Sequence, residues 1–153
     1  MTRRSRSGFA FSGRTVLVTG AGSGIGLALA RALAERQATV IASGRDPSKL
    51  AAARALVPGL EHRVADLRDE RDLRALASWA AGRNVDVLVN NAGVLLRSPV
   101  EALEGVDEQL ATNLAAPVKL TALLLGHLRS RERGGGRLRP RRPAARSGRS
   151  SWT

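Results

Sequence analysis

The fold follows from one stretch near the N-terminus, Thr15-Val16-Leu17-Val18-Thr19-Gly20-Ala21-Gly22-Ser23-Gly24-Ile25-Gly26. Its three consecutive apolar residues, two of them β-branched, predict a short strand that is buried on both faces. A glycine-rich turn comes next, and residues 27–36 are rich in strong helix formers. Strand, turn and helix in this order present free backbone N–H groups and a positive helix end to a phosphate. The sequence therefore predicts a nucleotide site at this turn.

Strands and helices alternate along the rest of the chain. Further strands are predicted at residues 39–43, 62–65 and 85–90, and helices at residues 47–56, 70–81, from about 107 and from about 115 to 129. Asp46 is the predicted N-cap of the second helix, with Pro47 in its first position. The buried face of the third helix is predicted to carry Leu73, Leu76, Ala77 and Ala80. We predict an α/β fold, a Rossmann-like doubly wound parallel sheet that is truncated after about four strands.

Composition excludes several classes of protein. Hydrophobic residues make up 43% of the 153 residues, as in an ordinary globular domain, and no apolar run is long enough to span a membrane. The chain has no cysteine and two histidines, which gives no support for disulfides or an imidazole-based metal site. We expect a cytoplasmic protein without a bound metal.

The formal net charge of +12 is concentrated at the two ends of the chain. Residues 1–13 carry three arginines and no acid, and residues 129–153 carry nine arginines against Glu132. Residues 14–128 are nearly neutral, so the folded part has no need of a nucleic-acid partner. We predict a disordered basic leader at 1–13, an incomplete dinucleotide-binding domain at 14–129 and a disordered Arg/Pro/Gly-rich tail at 130–153.

The spacing of the glycines resembles that of the short-chain dehydrogenase/reductase family. The turn reads Thr-Gly-x-x-x-Gly-Ile-Gly from Thr19 to Gly26, and four further matches occur in order over residues 15–128. These matches are Gly44-Arg45, Asp66-Leu67, Asn90-Asn91-Ala92-Gly93 and Asn113. The resemblance implies an oxidoreductase that binds a nicotinamide dinucleotide and acts on a small carbonyl or alcohol substrate.

The resemblance also implies roles for single residues. The cofactor-binding set it implies is Thr19, Gly20, Ser23, Gly24, Ile25, Gly26, Arg45, Asp66, Leu67, Asn91, Ala92 and Gly93. Within this set, Asp66 and Leu67 hold the adenine ring, although Asp66 could instead be a turn residue at a strand end. Asn113 supports the proton relay of the active site, or is simply an exposed helix residue.

The end of the second strand bears on the choice of cofactor. An acidic residue there accepts hydrogen bonds from the 2′-hydroxyl of NAD(H) and repels a 2′-phosphate. This chain has Gly44 at that place, followed by Arg45, whose guanidinium can pair with a phosphate. NADP(H) is therefore favoured over NAD(H).

The family's catalytic groups are missing from the sequence. The family relies on a serine after the fifth strand and on a Tyr-x-x-x-Lys pair, whereas this chain has no tyrosine and only Lys49 and Lys119. We therefore expect the NADP(H)-binding portion of a short-chain oxidoreductase, inactive as written. The alternative is a non-catalytic nucleotide-binding or partner-binding module that pairs with a full-length relative, or with itself, through the helices after residue 107.

The tail departs from the family pattern in the middle of a motif. Three glycines at 134–136 are followed by Leu138-Arg139-Pro140-Arg141-Arg142-Pro143, a poor central strand. A reading-frame shift or premature stop in a GC-rich gene would produce such a segment, and a natural truncated paralogue is the competing explanation. Either origin leaves the fourth strand as an unprotected edge, from which we expect a marginally stable protein.

Overall fold

The computed structural model describes residues 10–95 and 105–133, which form four strands and five α-helices. In chain order the elements are β1 Thr15–Thr19, α1 Gly24–Glu35, β2 Thr39–Gly44, α2 Pro47–Leu56, β3 Glu61–Val64, α3 Glu70–Gly82, β4 Val87–Val89, α4 Val106–Leu110 and α5 Ala116–Arg133. A π-helical segment, Ala111–Ala115, joins α4 to α5. None of the helices in these two ranges is long and apolar enough to cross a membrane.

The four strands form one parallel sheet in the order β3-β2-β1-β4. The chain moves outward from β1 to β3 and then returns to add β4 on the other side of β1. The neighbours β1 and β4 therefore mark the point where the winding direction reverses, and ligands of such sheets bind beside this point. The predicted α/β doubly wound class is confirmed.

The sheet has a hydrophobic cluster on each face, because β1 is buried on both. Leu17 packs with Ile41 against α3 and α5, while Val16 and Val18 pack against α1 and α2. The α3 residues predicted to be buried, Leu73, Leu76, Ala77 and Ala80, are the four that the structure buries. The predicted cap of α2 is also confirmed, since the Asp46 carboxylate accepts from the backbone N–H groups of Ser48 and Lys49.

The last helix is longer than predicted and continues past residue 129 to Arg133. Arg131 explains the extension, because its Nε donates to the Asp86 carboxylate (3.0 Å) and its Nη2 forms an ion pair with the same oxygen at 2.9 Å. That carboxylate is 5% exposed and also accepts from the backbone N–H of Thr15 (2.9 Å). The contact holds the C-terminal end of α5 against the N-terminal ends of β1 and β4.

The predicted leader and tail fall largely outside the described residues. Residues 1–9 and 134–153 are not described, and residues 130–133 belong to α5 rather than to the tail. At the other end, Phe11 packs partly buried against the core and the Gly13 N–H donates to the Gln37 carbonyl (3.0 Å). The packed domain therefore includes residues before 14, because Phe11 supplies apolar surface to its core.

Strand β4 is shorter than the predicted 85–90, and within the described ranges it pairs with β1 alone. Val85 is buried, and the Asp86 N–H donates to the Thr15 carbonyl (2.8 Å), so the chain already runs alongside β1 before the strand begins. The three strand residues are only partly buried. This is the apolar edge that the sequence predicts for the fourth strand.

Candidate functional site

The carboxyl ends of β1 and β4 are joined by the side chain of Thr19. Its hydroxyl donates to the Val89 carbonyl (3.3 Å) and accepts from the backbone N–H groups of Asn91 and Ala92, both at 3.0 Å. Thr19 is 1% exposed. The residue therefore lies behind the cleft as a structural bridge, although the sequence places it among the cofactor-binding residues.

Asn91 makes the complementary contact from the β4 side. Its amide nitrogen donates to the Thr19 carbonyl (2.9 Å) and, at 3.4 Å, to that of Gly20. Gly20 has φ +67°, and a Cβ there would lie 2.8 Å from the Cα of Ala92. The turn and the Asn-Asn-Ala-Gly segment thus approach each other to backbone contact, which no larger residue at position 20 allows.

The turn ends in a helix N-terminus with unused donors. The first N–H groups of an α-helix have no partner within the helix, and the N-cap residue Ser23 makes no side-chain capping bond to them. The first turn of α1 carries no acidic residue, and Gly24 enters it with φ +54°. Free N–H groups together with the positive end of the helix dipole make this place suited to a phosphate.

A cleft of about 400 Å³ opens in front of this turn, between the ends of β1, β2 and β4. The predicted residues that line it are Gly20, Ser23, Ile25, Gly26, Arg45, Leu67, Asn91, Ala92 and Gly93. Thr19, Gly24, Asp66 and Asn113 are not part of this lining. The side chain of Ile25 is 82% exposed, which leaves a large apolar group uncovered at the cleft. The volume lies within the range that is typical of ligand pockets.

Asn113 lies beside the cleft and holds its wall in place. Its Oδ1 accepts from the Val94 N–H and its Nδ2 donates to the Val94 carbonyl, both at 2.8 Å. The Asn113 Oδ1 also lies 3.4 Å from the position of a Cβ on Gly93. Both ends of the amide are therefore occupied by backbone, so in this structure Asn113 positions the segment that comes after β4.

Thr112 is a cleft residue that the sequence pattern did not single out. It is 6% exposed, lines the cleft and has a buried hydroxyl without a hydrogen-bond partner among the described residues. A buried hydroxyl without a partner is costly, and π-helical segments such as this one are frequent at functional sites. A signal was present, since Thr112 continues the buried Ala116, Leu120 and Leu124 series four residues toward the N-terminus.

Charged side chains gather where β2 and β3 end. Asp66 pairs with Arg68 (2.6 Å), and Glu108 of α4 pairs with both Arg68 (2.8 Å) and Arg45 (3.0 Å). The remaining cation of the cleft, Lys49, lies 3.9 Å from the Asp46 carboxylate. In the described ranges no group of three or more potential ligands is placed to hold a metal ion.

The pair with Arg68 fixes the charge of Asp66. The hydrogen bond from the Arg68 guanidinium is the main cause that lowers the pKa of Asp66 from 3.8 to about 2. Because the pKa of the folded state lies below that of the unfolded chain, the pair stabilises the fold fully above pH 4 or so and is lost as the pH falls through about 2. The carboxylate is therefore ionised throughout the neutral range.

Comparison with known proteins agrees with this geometry. A family model described as short chain dehydrogenase matches residues 14–138. The chain is 38% identical over 135 residues to the ketoacyl reductase HetN of Nostoc sp., covering 83% of this chain and 46% of that protein. It is 36% identical over 127 residues to the L-fucose dehydrogenase of Bos taurus, covering 80% and 47%. The chain thus spans about half the length of these curated relatives.

The fold of this chain is also similar to that of solved structures of short-chain dehydrogenases. A short chain dehydrogenase/reductase family protein superposes with a TM-score of 0.74 at 34% identity, covering 80% of this chain and 53% of that one. A metagenomic short-chain oxidoreductase in complex with NADP superposes with a TM-score of 0.71, also at 34% identity, covering 80% and 59%. In each case the shared part amounts to little more than half of the other protein.

Proposed function

This chain belongs to the short-chain dehydrogenase family, and from this premise we propose that it binds NADP(H), in preference to NAD(H), in the cleft beside β1 and β4. The observation that carries the proposal is the N-terminus of α1, whose free N–H groups meet the cleft at the point where the winding of the sheet reverses. The buried Thr112 hydroxyl, which lacks a partner among the described residues, supports it independently.

The residues fit the parts of a dinucleotide in order along the cleft. The backbone of the turn from Gly20 to Gly26 would hold the pyrophosphate, and Leu67 would cover the adenine ring from the end of β3. Asn91, Ala92 and Gly93 would border the other half of the cofactor. When bound, such a cofactor supplies hydride transfer to or from a carbonyl/alcohol pair.

The preference for a 2′-phosphate depends on the residues at the carboxyl end of β2. Gly44 stands where an acidic residue would repel the phosphate, and Arg45 beside it is half-exposed toward the cleft. Lys49 adds a second cation to the same wall. A guanidinium pairs with phosphate through charge-assisted hydrogen bonds, so these groups favour NADP(H).

We further propose that this 153-residue chain binds its cofactor without turning over substrate. The chain has no tyrosine, and the family's acid/base step needs one beside a lysine. A positioned acid or base contributes about 10²–10⁴-fold to the rate of such a reaction. Asn113 has both amide ends bonded to Val94, which supports a positioning role for its side chain in the cleft wall.

Titration with NADPH tests the proposal. The wild-type chain is expected to bind NADPH, seen as a rise in nicotinamide fluorescence, and to show no oxidation of it with carbonyl substrates. Arg45→Gln is expected to weaken NADPH binding at least tenfold and NADH binding less than twofold, since a charged hydrogen bond contributes about 1.5–3 kcal/mol. Arg74→Gln, which removes the same charge from an exposed pair with Glu70 on α3, is the control. Equal losses for NADPH and NADH would contradict the assignment of Arg45.

A partner-binding module is the second candidate, favoured by an apolar stripe that begins in α4. Leu110, Leu114 and Val118 lie four residues apart and are 52%, 61% and 62% exposed. Residues at this spacing share one helix face, and a contiguous exposed apolar face marks an interaction surface. We propose that this stripe pairs with the same stripe of a second copy of the chain. We also propose that the protein is cytoplasmic.

Sedimentation equilibrium tests the pairing. We expect concentration-dependent dimers of the wild-type chain in the micromolar range and monomers of Leu114→Glu, because the new charge would lie within the apolar contact. Leu56→Glu changes a residue that is similarly exposed (56%) at the end of α2 and should leave the dimer intact. A wild-type chain that stays monomeric at high concentration excludes the second copy.

A further inference from the structure

One carboxylate oxygen of Glu108 contacts two arginines at the end of the cleft that lies beside the carboxyl ends of β2 and β3. Oε1 of Glu108 accepts from Nη1 of Arg45 at 3.0 Å and forms an ion pair with Nη1 of Arg68 at 2.8 Å. Arg45 lies just after β2, Arg68 lies after β3, and Glu108 stands on α4, so three separate parts of the chain meet here. The Glu108 side chain is 30% exposed and the arginines 49% and 37%, so an entering ligand can reach them.

The charges of this cluster cancel. Asp66 takes one edge of the Arg68 guanidinium through Nε and Nη2, and Glu108 takes its remaining Nη1 together with Arg45. Two cations thus face two carboxylates, and no net positive charge is left for a further anion. Lys49 next to the cluster lies 3.9 Å from the Asp46 carboxylate, which offsets its charge as well.

We propose that Glu108 is a specificity-determining residue that weakens the binding of 2′-phosphorylated cofactors by occupying the arginines which would receive the phosphate. The inference rests on the proposed NADP(H) site and deepens it. Glu108 supplies from α4 the negative charge that Gly44 fails to supply at the end of β2. The preference for NADP(H) is accordingly smaller than Arg45 alone would give.

NADP(H) can still bind in the presence of Glu108, because its 2′-phosphate can replace the Glu108 carboxylate as the partner of Arg45. A phosphate monoester carries about −1.5 to −2 charges at neutral pH and three acceptor oxygens, whereas the carboxylate carries one charge. The phosphate can therefore displace Glu108 from Arg45, although it must break the existing ion pairs to do so. A 2′-hydroxyl is uncharged and does not compete with Glu108 for the arginines, so the binding of NAD(H) leaves the Glu108 ion pairs intact.

Glu108→Gln separates this role from a purely structural one. The variant keeps the shape of the side chain and removes its charge, and we expect it to bind NADPH and 2′,5′-ADP about three- to tenfold more tightly than the wild-type chain, the range expected for releasing one or two exposed ion pairs. Binding of NADH and 5′-AMP should change less than twofold. Glu61→Gln removes the same charge from a pair with Arg83 at the start of β3, the end of that strand remote from the cleft, and should alter none of the four affinities.

Isothermal titration of the full chain with the four nucleotides distinguishes the outcomes. A damaged fold can only weaken binding, so a selective gain for the two 2′-phosphorylated nucleotides supports the proposal. Unchanged affinities, equal gains for all four nucleotides, or a loss of binding in both Glu108→Gln and Glu108→Ala would overturn it. A wild-type chain that binds neither NADPH nor NADH refutes the proposed function itself, whereas wild-type binding with an unresponsive Glu108 refutes this inference alone.

Discussion

Replacing Gly26 by alanine is expected to abolish dinucleotide binding and to lower the free energy of unfolding by about 3 kcal/mol. The added Cβ would run into the carbonyl oxygen of Gly20 and the amide nitrogen of Asn91. The first of these is backbone, which cannot move aside as the end of a flexible side chain can. Helix α1 must then shift away from β1, and its N–H groups no longer face the cleft. Equilibrium denaturation measures the first effect and NADPH titration the second.

Gly126→Ala is the matched control for this substitution. Gly126 lies in α5 with open space where a Cβ would stand, and its φ is not positive. Alanine there should stabilise the helix by roughly 0.5–1 kcal/mol and leave binding unchanged. If Gly26→Ala unfolds within about 1 kcal/mol of the wild-type chain and still binds NADPH, the close packing of turn against helix is not required.

Features that depend on neighbours in the sequence could be predicted. The strand-turn-helix order around Gly20, the cap formed by Asp46 and the buried face of α3 all arise from local spacing and propensity. The parallel sheet is a consequence of the alternation of these elements, because parallel neighbours need a crossover between them. Most of the glycine turn lines the cleft for the same reason, since its place at the end of β1 is fixed by the strand before it.

Features that depend on contacts between residues far apart in the chain could not be predicted from the sequence. Arg131 lengthens α5 because it meets Asp86, 45 residues earlier in the chain. Glu108 meets Arg45 from a helix 63 residues further along, and nothing in the local sequence around either residue indicates the pair. The role of Thr19 could not be predicted for the same reason, because the side chain of a threonine at a strand end can face either a ligand or the neighbouring strand. Its partners, 70–73 residues away, decide between the two.

Thr19→Val should therefore destabilise the fold as strongly as a core substitution, by about 3 kcal/mol. Valine keeps the volume and the β-branched shape that suit a buried strand, so the loss measures the hydroxyl alone. Without it the Ala92 N–H loses its acceptor in a part-buried place, at a cost of about 1–3 kcal/mol, and the Asn91 N–H keeps only the Val89 carbonyl (3.1 Å). Chemical denaturation monitored by circular dichroism gives the change.

The same substitution should weaken NADPH binding about tenfold, although Thr19 is 1% exposed and is not part of the cleft lining. The reason is that Asn91 and Ala92, which do line it, are positioned by the lost hydroxyl. Thr15→Val, at the other end of the same strand, is the control: its hydroxyl has no hydrogen-bond partner in the described part of the chain, and the free energy of unfolding should change by no more than about 0.5 kcal/mol. If Thr19→Val lowers NADPH affinity while the stability stays at the wild-type value, Thr19 touches the cofactor directly, as the glycine-turn motif predicts, and the bridge between β1 and β4 is not its main role.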